Sequence, residues 1–168
     1  MQKTFLSLKT GLLLFIITIS FKATAQDAAG YQIPPKDIAD LLLAKPTPGV
    51  SVDKKGEWML LSERNSYPTV EELGQLEIRV AGLRLNPNNF SPSRQTYITN
   101  FSLKKLKTDK QFEVTGLPTN LLAGNVQWND GQTKICFTNT TVTKVDLYVI
   151  DVATHVAKKV NKQSALAF

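Results

Sequence analysis

The first pattern along the chain is an unbroken apolar run, the 11 residues from Gly11 to Phe21, preceded by Lys3 and Lys9 and followed by Ala23-Thr24-Ala25. A positive start, a short apolar core and a small-x-small site predict a signal peptide over residues 1–25, cleaved after Ala25. The run is shorter than the ~20 apolar residues of a membrane helix, so no stable span is expected after cleavage. No Cys follows the run, which argues against lipid attachment there. An exported protein, periplasmic or secreted, is the expectation.

Residues 26–47 read as an N-terminal extension with one short helix. Pro34-Pro35 opens Lys36 to Ala44, where Ile38, Leu41 and Leu42 fall on one stripe. A proline at the first helical position loses no hydrogen bond, and Pro46 and Pro48 stop the helix. From Gly49 the period changes from helical to alternating. Gly49 to Asp53 predicts a strand, Lys54-Lys55-Gly56 a turn, and Glu57 to Glu63 a strand apolar enough for burial on both faces. Thr69-Val-Glu-Glu72 has capping-box spacing. Gly82 to Arg94, rich in Asn, Pro and Ser, predicts a loop, and Gln95 to Leu103 and Gln111 to Val114 predict strands.

The first pattern then returns. Gly124 to Trp128 is a strand pattern, Asn129-Asp130-Gly131 carries strong hairpin chemistry, and Thr133 to Thr138, Val145 to Ile150 and His155 to Val160 complete the series. Val50-Ser51-Val52-Asp53 lies over Val126-Gln127-Trp128-Asn129, and Met59-Leu60-Leu61 over Ile135-Cys136-Phe137, at an offset of 76 residues. Between them Lys55-Gly56 is matched to Asp130-Gly131. A four-stranded antiparallel unit used twice is the sequence form of β-propeller blades. The expected fold is mainly β: a partial β-propeller of about two four-stranded antiparallel blades over residues 48–162, swollen by an insertion at about 65–95 and followed by an atypical tail at 163–168. The alternative is one antiparallel sandwich of eight short strands.

Composition narrows the chemistry. The 168 residues are 42% hydrophobic and 20% charged, ordinary globular values that argue against wholesale disorder, collagen and coiled coil. One Cys and one His exclude an internal disulfide framework, a Cys-rich zinc site and any site needing two histidines. The net charge of +6 falls to +3 when Lys3, Lys9 and Lys22 leave with the signal peptide. The cluster Lys104, Lys105, Lys107 and Lys110 has no interleaved aromatics and reads as a solvated strand end, so no nucleic-acid partner is expected. Asp53, Asn129 and Asp130 read as turn formers rather than cation ligands, and no metal or cofactor is expected. Asn100-Phe-Ser102 and Asn139-Thr-Thr141 fit the glycosylation sequon by coincidence, given a bacterial-type signal. His155 reads as a surface residue beside a turn, and Cys136, inside an apolar strand, as a buried inert thiol.

Tyr31 to Asp40, Lys45 to Asp53, Glu72-Leu-Gly74, Ala81 to Asn86, Ser93-Arg94 and Gly124 to Phe137 together resemble the start of mature glutamyl endopeptidases, a branch of the prolyl oligopeptidase family of serine peptidases. The resemblance is collinear over roughly residues 31–162. It implies an access-limiting propeller followed by an α/β-hydrolase domain with Ser, Asp and His, of which this chain matches only the beginning. A nucleophile elbow needs Gly-x-Ser-x-Gly, and no such pentapeptide occurs here. No catalytic residue is therefore carried over, and the chain is expected to be inactive alone: a truncated N-terminal piece whose partner is the missing remainder of the peptidase. The alternative is a complete, small, exported binding module. Arg84 and Arg94, in the insertion, are the candidate substrate-binding residues, because an enzyme selecting Glu needs a cation for the substrate carboxylate and Arg meets it bidentately. The competing reading pairs them with Glu71, Glu72 or Glu77.

Overall fold

In a computed structural model the described residues are 34–163. The predicted signal peptide, the first part of the N-terminal extension and all but the first residue of the tail lie outside them. Helix α1 spans Lys36–Leu43, with its first backbone bonds closing on the Pro35 carbonyl at 3.0 Å. None of its residues is buried. The chain after it is tied down by Lys45, whose Nζ lies 3.1 Å from Glu63 Oε2, and by the Ser66 hydroxyl, which donates to the Ala44 carbonyl.

The rest is mainly β, as the alternation predicts. Strands β1 (Gly49–Val52), β2 (Trp58–Glu63), β5 (Asn100–Lys105) and β6 (Lys110–Glu113) form one four-stranded antiparallel sheet in the order β1-β2-β5-β6. Strands β7 (Ala123–Trp128), β8 (Lys134–Thr140), β9 (Val145–Asp151) and β10 (Val156–Lys159) form a second, adjacent in sequence order. Between β2 and β5 lie the short helix α2 (Val70–Leu73) and a two-stranded hairpin, β3 (Ile78–Val80) with β4 (Leu83–Leu85). The capping box at α2 is formed in both directions: Thr69 Oγ1 accepts from Glu72 N, and Glu72 Oε2 accepts from Thr69 N.

Two strand predictions shift. Gly82 to Arg94 is not all loop, because Leu83, Arg84 and Leu85 pair with Val80, Arg79 and Ile78. Pairing in the first sheet begins only at Asn100; in the preceding segment only Ile98 joins a ladder, bridging to Ala123 with two 2.9 Å bonds that fasten one sheet to the start of the other. The alternating sequence of Gln95 to Thr99 does not become a strand: beyond the Ile98 bridge, Thr99 N donates to the Glu63 carbonyl at 2.8 Å, and Gln95 to Tyr97 join no ladder.

The core lies between the two sheets. Leu60, Phe101, Leu103, Ile135, Phe137 and Ile150 are fully buried in one cluster. The rings of Phe101 and Phe137 meet at 5.0 Å between centroids, and Tyr148 stacks on Phe137 at 5.4 Å. β2 is not buried on both faces as its composition suggests: only Leu60 is buried, while Met59 and Leu61 remain partly exposed on the reverse face. Trp128 Nε1 donates to Ser51 Oγ across the gap at 3.0 Å.

The β1–β2 and β7–β8 turns share one geometry. Asp53 Oδ1 accepts from Glu57 N and Trp58 N; Asn129 Oδ1 accepts from Thr133 N and Lys134 N. Asp53 N donates to the Trp58 carbonyl and Asn129 N to that of Lys134. The left-handed position is Gly56 (φ 66) in the first turn and Gln132 (φ 56) in the second. The match of Lys55-Gly56 to Asp130-Gly131 is therefore out by one residue. A constant offset of 76 runs from β1 through β2, and Gly56 corresponds to Gln132, not Gly131. Gln132 accepts the left-handed cost because its side chain is used twice: Oε1 accepts from Lys54 N of the other turn at 3.0 Å, and Nε2 donates to the Asn129 carbonyl at 2.7 Å.

Candidate functional site

The segment between β2 and β5 shapes a cleft of about 250 Å³ against the β8–β9 end of the second sheet. Tyr67 and Pro68 on one side, Arg94 and Tyr97 on another, and Thr141 and Val142 below line it. Its wall is the loop after β4, which builds its own hydrogen-bond frame. Asn86 Oδ1 accepts from Asn88 N, and Asn89 Oδ1 accepts from Ser91 N, both at 2.8 Å. Asn89 Nδ2 donates to the Thr141 carbonyl at 2.7 Å, which clamps the loop to the second sheet. Asn86, Asn89 and Ser91 are accordingly buried polar residues with partners. The Asn-Pro-Asn-Asn composition reads locally as loop; that its side chains face inward follows from the clamp.

The two candidate arginines converge on one carboxylate. Arg94 Nε lies 2.6 Å from Glu77 Oε1, and Arg84 Nη1 lies 2.9 Å from Glu77 Oε2. Ser93 Oγ donates to Oε1 at 3.0 Å, and Arg79 Nε stands 3.9 Å from Oε2. The Glu77 side chain is only 11% exposed, whereas those of Arg94 and Arg84 are 55% and 41% exposed. The hydrogen bond from Arg94, with those from Arg84 and Ser93, more than offsets the opposing effect of burial and holds the Glu77 carboxyl at about 2. Three guanidinium groups around one carboxylate leave the cluster net positive. Arg94 also lines the cleft; Arg84 does not. Of the acidic partners considered from sequence, the fold selects Glu77: it immediately precedes β3, and the cross-strand pair Arg79–Arg84 needs a carboxylate beside it.

The remaining chemistry-bearing residues lie elsewhere. His155 is not a plain surface residue. It occupies a left-handed position (φ 58) in the β9–β10 turn, and its ring stacks on Phe112 at 4.2 Å and meets Trp58 at 5.6 Å, with Nε2 buried. No nucleophile approaches it among these contacts. Cys136 is half-exposed rather than buried, because its face of β8 points away from the core. Lys104 pairs with Asp109 at 2.6 Å and Lys107 with Glu57 at 3.7 Å, while Lys105 and Lys110 sit over the rings of Trp58 and Phe112. Asp146 is a buried charge that sequence reading passed over. Burial pushes its carboxyl up, but Lys159 at 2.9 Å and Lys144 at 3.4 Å prevail and hold it low. Among the described residues no group of three or more His, Cys, Asp or Glu converges as a cation site.

No family model matches the chain, and no solved structure matches it. Among curated proteins it is similar to a probable chloroplastic glutamyl endopeptidase of Arabidopsis thaliana, 27% identical over 155 residues. That match covers 84% of this chain and 16% of the relative. The corresponding protein of Oryza sativa subsp. japonica is 27% identical over 143 residues, 79% of this chain and 15% of the relative. The chain is thus a distant, peptidase-related segment that spans about one sixth of the length of these relatives.

Proposed function

We propose that the chain forms the first blades of the propeller of an exported glutamyl endopeptidase-like serine peptidase of the prolyl oligopeptidase family. Its role in this reading is access and substrate positioning, not bond cleavage. The similarity to two glutamyl endopeptidases carries the proposal. Two complete four-stranded meanders, packed face to face with no strand exchanged between them, support blades over an eight-stranded sandwich module with crossing connections. The arrangement Lys3, Gly11 to Phe21 and Ala23 to Ala25 supports export. The chain carries no Gly-x-Ser-x-Gly and so no nucleophile elbow of that type, which supports a reading in which the remainder of a peptidase is its partner in activity.

Within this reading Arg94 is the substrate-facing cation. Glu77 fixes one edge of its guanidinium, and its half-exposed side chain stands at the cleft, where a substrate carboxylate would complete the pairing. Arg84 is held behind it on the other carboxylate oxygen.

The test is a chimera in which residues 31–162 replace the matching segment of the Arabidopsis glutamyl endopeptidase. Glu-directed peptide hydrolysis by the chimera, absent from the chain alone, is the expected result. A chimera that folds and labels with a serine-directed probe but cleaves without Glu preference would overturn the positioning role. In an active chimera, Arg94→Ala should lower kcat/KM for Glu substrates at least tenfold while sparing probe labelling; an unchanged value removes Arg94 from the proposal.

A further inference from the structure

The cleft lies where a sheet comes apart. β2 and β5 are paired from Trp58–Lys105 to Glu63–Asn100, and one further bond, Thr99 N to the Glu63 carbonyl at 2.8 Å, ends the contact. Beyond it the two segments diverge: Asn65 to Pro68 line one lip of the cleft, and Arg94 to Tyr97 the other. Among the described residues the main-chain N–H and carbonyl groups of Gln95, Thr96 and Tyr97 have no main-chain partner. The segment is nonetheless straight, for Gln95 to Tyr97 contains neither turn nor bend and no positive φ. Extended backbone sends the N–H and carbonyl of one residue to one side and those of the next residue to the other. Ile98 directs both of its groups to Ala123, at 2.9 Å each, and Thr99 N turns the opposite way, to Glu63. Tyr97 and Gln95 therefore share the side of Thr99 and face into the gap, while Thr96 faces away with Ile98.

A straight segment with free donors and acceptors is a template for another extended chain. The space of about 250 Å³ is smaller than the ~300–1,000 Å³ of compact small-molecule pockets, and it suits a few residues of a chain that runs through it. The charge beside the gap selects the chain. Arg94 adjoins Gln95, and its half-exposed guanidinium belongs to a cluster in which three arginines meet the single carboxylate of Glu77. The other carboxylate at the cleft, that of Glu72, is already engaged by Thr69 N at 2.8 Å. A peptide with a carboxylate side chain matches the excess positive charge.

We propose, resting on the reading of this cleft as the substrate site, that the substrate binds there as an added β-strand. An extended peptide pairs its main chain with Gln95 and Tyr97 and turns a carboxylate side chain to Arg94. The main-chain bonds supply affinity that does not depend on the peptide's sequence, and Arg94 supplies the preference.

The test is binding of an end-capped alanine pentapeptide with a central Glu to the purified full chain, read by calorimetry and by amide exchange in NMR. Saturating peptide should slow exchange at Gln95 and Tyr97 by about tenfold or more and leave Thr96 unchanged. N-methylation, moved along the peptide one residue at a time, removes one donor at each position. Affinity losses of about fivefold or more should fall on alternate residues. Losses at no position or at neighbouring positions, or protection of Thr96 together with Gln95 and Tyr97, overturn strand addition; if replacing the central Glu by Gln still weakens binding, the role of Arg94 survives that failure. Alternating losses with the Glu and Gln peptides bound equally would keep the added strand and remove Arg94 as the substrate-facing cation. Absence of binding at millimolar peptide overturns the proposal. So does protection of Gln95 and Tyr97 on raising the concentration of the chain without peptide, which would give the gap to a second copy.

Discussion

Gly116 lies where the chain leaves the first sheet and touches the last strand of the second. Thr115 N donates to the His155 carbonyl at 2.9 Å, and Ala157 N donates to the Thr115 carbonyl at 2.7 Å, a parallel bridge between the two sheets. Gly116 has φ 76, and a Cβ there would overlap the Ala157 carbonyl oxygen, with the carbonyl carbon only 3.4 Å away. Gly116→Ala thus meets two separate costs. The left-handed backbone costs an alanine roughly 1–2 kcal/mol, partly offset by about 0.4–1 kcal/mol from a less flexible unfolded chain. Relieving the overlap must displace the bridge, and each of its two bonds is worth about 0.5–1.5 kcal/mol. Gly56→Ala supplies the control, since Gly56 has φ 66 but nothing within 4 Å of its would-be Cβ. Urea unfolding of both variants should show Gly116→Ala costing about 2–4 kcal/mol and Gly56→Ala about 1 kcal/mol or less. Equal losses at the two sites would refute the reasoning, because only Gly116 has a neighbour for the methyl to strike.

Three further outcomes are expected. Phe137→Ala, at a fully buried ring between Phe101 and Tyr148, should cost about 3–5 kcal/mol in chemical denaturation, and Phe137→Leu distinctly less. Because the Glu77 carboxyl is held at about 2 against an ordinary 4.5, its ion pairs contribute fully above pH 4.5 and are lost as pH falls toward 2. Glu77→Gln should therefore flatten the acid dependence of the protease resistance of residues 64–95 in that window, and an unchanged acid profile would contradict the three-arginine hub. Thr69→Ala removes one half of the capping box on an exposed turn and should cost about 1 kcal/mol locally, read as faster amide exchange at Glu72 without a matching fall in global stability.

The period-two alternation of the chain, the paired turn residues Asp53 and Asn129 and the offset of 76 between the two halves were legible in the sequence, because each depends on neighbours a few residues away. Sequence also offered pairing of Arg84 and Arg94 with Glu71, Glu72 or Glu77 as the reading that competes with substrate binding; it could not choose Glu77 among the three or add Arg79 to the cluster. Tertiary structure alone decided which face of each sheet turns inward. Leu60, Met59 and Leu61 are all apolar, and local pattern cannot rank them; the opposing sheet buries the first and leaves the other two partly open. It also decided that Leu83 to Leu85 find a partner while Gln95 to Tyr97 do not, since a strand exists only where another chain segment meets its hydrogen bonds. It put Gln132 at the left-handed position where its repeat has Gly56, because only packing of the two turns supplies the Lys54 amide that makes a side chain there favourable. Sequence sets what each segment can pair with; long-range contact sets which of those pairings is made.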